Sequence, residues 1–322
     1  MFSKILIKLN ILYFIGSKLR FFIILYIVKN IIKIKRLNFI KYFFDPNIIS
    51  KKINATFSEN LKIIKKKNFS MMVNLNDHIG FNYFIEENFD NKIISIAKII
   101  KFKKKDILID VGANIGTSCI PFAKKFNCQV FAIEGSKYNA ILLLRNILLN
   151  ESKIHPIINI ITNKKDNLKN NFTKIYLENG NMGASSTYKN WTNKKNKEVE
   201  ITKNSTMDDL FEKKKINFND VKIIKIDIEG NENKLFEGFD KIKYFNSLII
   251  FEHRIDKIKE LNQKIRLNYI EKLKKNFNLY KIIEKHNKIS FQKFNLNEKC
   301  DCLAVPKKKL HFNKLIKKYV KS

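Results

Sequence analysis

The chain has 322 residues, 45% of them hydrophobic, which suffices for one α/β core with flanking segments; its longest uninterrupted apolar run, residues 21–28, is far short of the ~20 residues a spanning helix needs. The net charge of +33 is large enough to attract anionic partners, yet the surplus is Lys scattered among Asn and Ile, and Arg, which bidentate phosphate or guanine recognition prefers, is scarce; compositional drift explains the charge more simply than nucleic-acid binding. Cys119, Cys128, Cys300 and Cys302 form no CxxC and have no nearby His at zinc-ligand spacing, so no metal site is expected and a reducing, cytoplasmic compartment is the simpler reading.

In chain order, residues 1–70 read as a basic, apolar extension of helices and linker. The first forty interleave Lys and Arg with large apolar side chains, so a helix there can lie peripherally at the inner membrane face, held by apolar burial and anionic lipids; it can equally pack on the domain or on a partner subunit. No small-residue cleavage site closes the run, so a removed signal peptide is not expected. Residues 71–307 form the main domain. Within it, 71–75 and 80–85 read as short extended segments around a turn, and 92–100 as helix.

From residue 107 onward, strand-like runs (107–111, 129–133, 157–161, 223–228 and 247–252) alternate with helical stretches (117–126, 138–150 and 231–236), the pattern of βαβ units on a parallel sheet. Residues 170–206 break the rhythm with Gly180, Gly183 and polar neighbours, and read as a hairpin or loop over the sheet, a usual place for substrate contacts. A helix near 263–277, extended runs at 280–284 and 301–306, and a solvated Lys-rich tail at 308–322 complete the chain; Cys300 and Cys302, two apart, would share one face of a strand.

The strongest local signal is Asp110-Val111-Gly112-Ala113-Asn114-Ile115-Gly116-Thr117, directly after an apolar run. Glycines at a strand-to-helix turn let the backbone bend sharply, let a ligand approach without meeting a Cβ, and expose amides at a helix entrance. A dinucleotide fingerprint would want Gly in place of Asn114 and a final Gly or Ala in place of Thr117, which weakens NAD or FAD. An acidic residue just before the first glycine suits a cationic ligand bearing an amino acid, such as S-adenosylmethionine, whose ammonium Asp110 could reach directly or through water. The next strand ends at Glu134, 24 residues beyond Asp110, where a carboxylate can accept both hydroxyls of a ribose.

These residues resemble the FkbM family of O-methyltransferases, a branch of the class I S-adenosylmethionine-dependent enzymes. The resemblance runs over about residues 75–307: Asp110 to Gly116, Glu134 with Asn139, Asn181-Met182-Gly183-Ala184-Ser185-Ser186, Thr206-Met207-Asp208-Asp209-Leu210, Lys225-Ile226-Asp227-Ile228-Glu229-Gly230-Asn231-Glu232, Phe251-Glu252-His253, and Leu303-Ala304-Val305-Pro306-Lys307. It departs at Gly135, where the family usually has Pro, and at Asn231, often Ala. It implies a Rossmann-like class I methyltransferase fold, a mainly parallel seven-stranded sheet with helices on both faces, here with a helical N-terminal extension.

Methyl transfer from a sulfonium is an in-line displacement, so the protein must align the nucleophile and, for a hydroxyl, remove its proton. Asp227 and Glu229 end the fourth strand, and Glu252 and His253 the fifth, so the four are expected to converge beyond the strand ends. Asp227 is favoured as base or orienting group, with His253 as competing base; Glu229 could instead fix the loop, and Lys225 could pair with a carboxylate. The resemblance implies O-methylation of a small molecule, such as a saccharide. An RNA or DNA methyltransferase is the alternative enzyme, but no Asn-Pro-Pro-Tyr-like segment or Cys nucleophile follows the fourth strand. A non-catalytic membrane- or nucleic-acid-binding module is the alternative outside enzymes, and cofactor binding separates it. Oligomeric state is not legible.

Overall fold

The computed structural model describes residues 61–85, 92–191, 198–254, 268–285 and 288–320. The expected helical extension at 1–70 lies outside these residues except for 61–70, which are strand and turn rather than helix, and its peripheral membrane segment at 1–40 lies wholly outside them. The chain divides into two units, the smaller formed by residues 1–64, 72–89 and 179–183.

Most of two paired strands, β1 (Leu61–Lys65) and β2 (Ser70–Asn74), and a helix, α1 (His78–Ile85), belong to the smaller unit. Residues 80–85 are therefore helical rather than extended. The buried Asp77 starts this helix by accepting the Ile79 N–H at 3.0 Å, and its other oxygen accepts the Met182 N–H at 2.6 Å. That local cap sets the start of the helix.

In the larger unit, α2 (Lys92–Ile99) precedes the alternation: β3 (Ile107–Val111), α3 (Cys119–Phe126), β4 (Gln129–Glu134), α4 (Lys137–Asn150) and β5 (Ile154–Ile158). A short β6 (Ile160–Ile161) and α5 (Lys164–Lys169) lead to an antiparallel hairpin of β7 (Phe172–Tyr176) and β8 (Val199–Ser205), as the broken rhythm suggested. Then come α6 (Met207–Lys213), β9 (Val221–Ile226), α7 (Glu232–Glu237), β10 (Leu248–His253), α8 (Asn268–Asn276), β11 (Phe277–Lys285), β12 (Lys288–Lys293), β13 (Cys300–Pro306) and α9 (Leu310–Lys317).

The main sheet runs β12-β11-β13-β10-β9-β3-β4-β5. The five strands from β10 to β5 are parallel, and β13, β11 and β12 follow beside β10, each antiparallel to its neighbour. β12 makes the sheet eight-stranded, one more than expected. Every residue of β3 is buried, because Ile107, Ile109 and Val111 meet a core shared with α6, α7 and α8 while Leu108 and Asp110 face the opposite side. From β3 the chain steps to β4 and β5 on one side, and returns to β9 and β10 on the other. The order thus reverses between β3 and β9, and the crevice beyond their carboxyl ends is where open α/β sheets bind ligands.

The four cysteines are free and buried, and Cys300 Sγ lies 3.5 Å from Cys302 Sγ on one face of β13. The stretch after Pro306 is no solvated tail. It forms α9, with Ile316 fully buried and the Asn313 amide donating to the Pro306 and Lys309 carbonyls at 2.9 Å. Two inward residues on a Lys-rich helix suffice to dock it, a spacing that charge density hides. Ile316→Ala is expected to cost roughly 2–4 kcal/mol in denaturant unfolding; a change within about 0.5 kcal/mol would mean the segment adds nothing to the fold.

Candidate active site

Three residues after β3 have left-handed backbone: Gly112 at φ 82°, Asn114 at φ 52° and Gly116 at φ 95°. A Cβ on Gly112 would stand 1.8 Å from the Asp227 carbonyl oxygen, so only glycine lets the turn press against the end of β9. Asn114 takes the position a dinucleotide fingerprint gives to glycine. Asparagine tolerates that region better than other side chains, and here its Oδ1 accepts the Ile115 N–H at 2.7 Å. Thr117 is buried just before α3.

Glu134, at the end of β4, ties this turn to the next one. One carboxylate oxygen accepts the Asn114 N–H and the other accepts the Ser136 N–H, both at 2.8 Å. Burial pushes its pKa up, against those hydrogen bonds. The Asn139 side chain donates to it as well, which leaves the carboxylate one further acceptor site for a ligand. Asp110 is fully buried and sits opposite Lys225 in the β3–β9 register. The Lys225 ammonium lies 3.3 Å from Asp110 and 3.5 Å from Asp227, joining the cofactor turn to the end of β9. A glycine cradle at the switch point, with a carboxylate at the end of the adjacent strand, fits a nucleoside-bearing cofactor such as S-adenosylmethionine.

Past β9 the backbone extends parallel pairing by one residue, the Asp227 N–H donating to the Val111 carbonyl at 2.9 Å. The Asp227 side chain is 46% exposed, which leaves it open to the crevice. Glu229 has φ 47°, an uncommon conformation for Glu, and several groups hold it there. Trp191 Nε1 donates to its carboxylate at 2.8 Å, Arg254 lies 3.7 Å away, and the Ser186 hydroxyl donates to its carbonyl at 2.7 Å. Gly230, at φ 97°, makes room for the Trp191 ring, which would stand 2.3 Å from a Cβ. Burial, then the charges of Asp227 and Glu252, push the Glu229 carboxyl up to about 7.

One carboxylate oxygen from each of Asp227, Glu229 and Glu252 falls within a 4.8 Å cluster. Three cations answer it: Lys225 at Asp227, Arg254 at both Glu229 and Glu252 (3.8 Å), and Lys299 at Glu252 (3.7 Å). Lys225 is shared with Asp110, so among the described residues these cations offset the cluster's charge only in part.

Asp227 and Glu229 are thus brought together with Glu252, but His253 is not. Neighbours on a strand point to opposite faces, so when Glu252 faces the crevice His253 faces the core. His253 is fully buried, with Nδ1 3.0 Å from the Tyr269 hydroxyl and Nε2 2.9 Å from the Leu296 carbonyl. A carbonyl can only accept, so Nε2 carries the proton and Nδ1 accepts from Tyr269; neither nitrogen is left for a substrate proton. Asn231, which departs from the usual Ala, anchors the loop by donating to the Ile161 carbonyl at 2.7 Å. Trp191, Arg254 and Lys299 were not singled out from sequence; the one signal was rarity, Trp191 being the single Trp of the chain.

A glycine cradle and a carboxylate cluster on this strand order define a Rossmann-like class I methyltransferase. The FkbM methyltransferase domain profile matches residues 110–293, more than half of the chain, so the chain belongs to the FkbM methyltransferase family and is an S-adenosylmethionine-dependent methyltransferase. No curated protein matches. Among solved structures, M. jannaschii TYW2 in complex with AdoMet is similar at TM-score 0.36 and 15% identity, over 76% of this chain and 85% of that one. A putative O-methyltransferase from Klebsiella pneumoniae gives TM-score 0.35 and 12% identity, over 68% and 81%. A Pyrococcus abyssi tRNA (uracil-54, C5)-methyltransferase in complex with S-adenosyl-L-homocysteine gives 0.37 and 10%, over 76% and 44%.

Glu232, fully buried at the start of α7, accepts the Ile228 N–H at 3.2 Å, and burial raises its carboxyl to about 8. The fold therefore favours the protonated form. That contribution is complete below the ordinary carboxylate range and is lost as pH rises through about 8. Glu232→Gln keeps an acceptor without the charge, so it should unfold with the wild type near pH 5 and be more stable by on the order of 3 kcal/mol at pH 9. Parallel stability profiles across that range would contradict the assignment.

Proposed function

We propose that this methyltransferase methylates a hydroxyl of a small molecule or saccharide, with Asp227 as the group that orients the hydroxyl and takes its proton. The observation that carries this reading is the half-exposed Asp227 carboxylate at the switch point, backed by Glu229 and Glu252. S-adenosylmethionine supplies a methyl group on a good leaving group. Gly112, Asn114, Gly116 and Thr117 would hold it at the turn, Glu134 would accept from its ribose, and Asp110 would act through Lys225. Asp227, held by backbone pairing to β3, then needs only to align the acceptor oxygen and remove its proton. Glu229 positions the loop that carries Asp227, and His253 is a core histidine rather than a base.

An RNA or DNA acceptor is the weaker reading. Base-modifying enzymes stack an extruded base on an exposed ring, whereas Trp191 is 2% exposed and lies over Gly230. The free cysteines fit a reducing, cytoplasmic location. Among the described residues no helix is long and apolar enough to cross a membrane.

The purified chain, incubated with S-adenosylmethionine and a panel of saccharides and hydroxylated metabolites, should release S-adenosylhomocysteine with at least one acceptor. Asp227→Asn should lower that turnover by about 10²–10⁴-fold while cofactor binding persists. Methylation of RNA but of no hydroxylated small molecule, or unchanged turnover in Asp227→Asn, would overturn the proposal.

A further inference from the structure

The helix α4 is apolar on both sides. Ala140, Leu143 and Ile147 are buried against the rest of the domain, while on the outer side Ile141 is 53% exposed, Leu144 37%, Leu148 77% and Leu149 40%. A helix apolar all round is normally enclosed, and this one has half its apolar surface facing out. Positions 137, 141, 144, 145, 148 and 149 form one continuous face, and they are Lys, Ile, Leu, Arg, Leu and Leu with no acid among them.

The charges around this face are mainly basic. Lys124 donates to the Asn150 carbonyl at the helix C-terminus, at 3.1 Å, and Lys153 follows it. Two acids border the face, Glu200 accepting the Lys137 and Tyr138 N–H groups at 2.7 and 3.3 Å and Glu151 at the C-cap, and Lys124, Lys137, Arg145 and Lys153 outnumber them. A second copy is a poor occupant: a twofold contact would gather two Lys137 and two Arg145 in one interface between chains of net charge +33. A bilayer with anionic headgroups complements both features, since large apolar side chains enter the headgroup–acyl boundary while Lys and Arg meet lipid phosphates.

We propose that the outer face of α4 docks this chain onto an anionic membrane surface, with Ile141, Leu144 and Leu148 inserted and Lys137 and Arg145 at the phosphates. This contact is distinct from the proposed methyl-transfer site. The test uses full-length Leu148→Trp with vesicles of phosphatidylcholine and phosphatidylglycerol carrying brominated acyl chains, which quench only a ring that enters the bilayer. The added tryptophan should lose most of its emission, and the loss should weaken in pure phosphatidylcholine and at high salt. The wild type, whose Trp191 is buried, should keep its emission. Sedimentation with the vesicles without quenching would mean that another segment makes the contact and would overturn the proposal. Absence of vesicle binding would also overturn it, as would a concentration-dependent dimer broken by Leu148→Arg.

Discussion

The close approach of the Gly112 turn to the end of β9 sets the geometry of the site. Parallel strands in this sheet lie side by side at fixed spacing, and the chain leaving β3 must turn into α3 without colliding with the strand next door. Any side chain at Gly112 would meet the Asp227 carbonyl, so the turn can exist only with glycine there. That same approach holds Asp227 at the mouth of the crevice, and the Asn114 N–H reaching Glu134 closes the turn from the other side. Cofactor residues and the proposed base are thus parts of one constraint, linked again underneath by Lys225 between Asp110 and Asp227.

A second constraint acts on the acceptor side. Glu229 is held in a left-handed conformation that costs energy, and it is fixed by Trp191, Arg254 and Ser186, two of them from the segment between β7 and β8. The hairpin region therefore shapes the loop beside Asp227 as well as covering the sheet. Arg254 also lies 5.6 Å over the Trp191 ring, so the positive charge that balances Glu229 and Glu252 is itself held by an aromatic face.

Much of this was legible in the sequence, wherever the signal was local. The alternation of apolar runs gave the parallel strands, and Asp110 to Gly116 with Glu134 marked the turn and the neighbouring strand end. The Asn114 departure weakened one fingerprint without disclosing its role, which is to supply the positive φ itself. The start of α6 was readable and passed over: Thr206 and Asp209 form a reciprocal cap, each side chain accepting the other's N–H at 3.1 Å. His253 was misplaced by treating adjacent strand residues as convergent when they alternate. The α9 contact and the Trp191–Glu229–Arg254 assembly were out of reach, because each joins residues far apart in the chain with no spacing rule between them.

The proposed site of S-adenosylmethionine is the turn after β3 together with Glu134. Calorimetric titration with S-adenosylhomocysteine of the wild type and of Glu134→Ala tests it directly, and needs no knowledge of the acceptor. Saturable binding by the wild type, weakened by about tenfold or more in Glu134→Ala through loss of hydrogen bonds to a charged acceptor, is the expected result. Absence of binding by folded wild type, or equal affinity in the two proteins, would rule this site out.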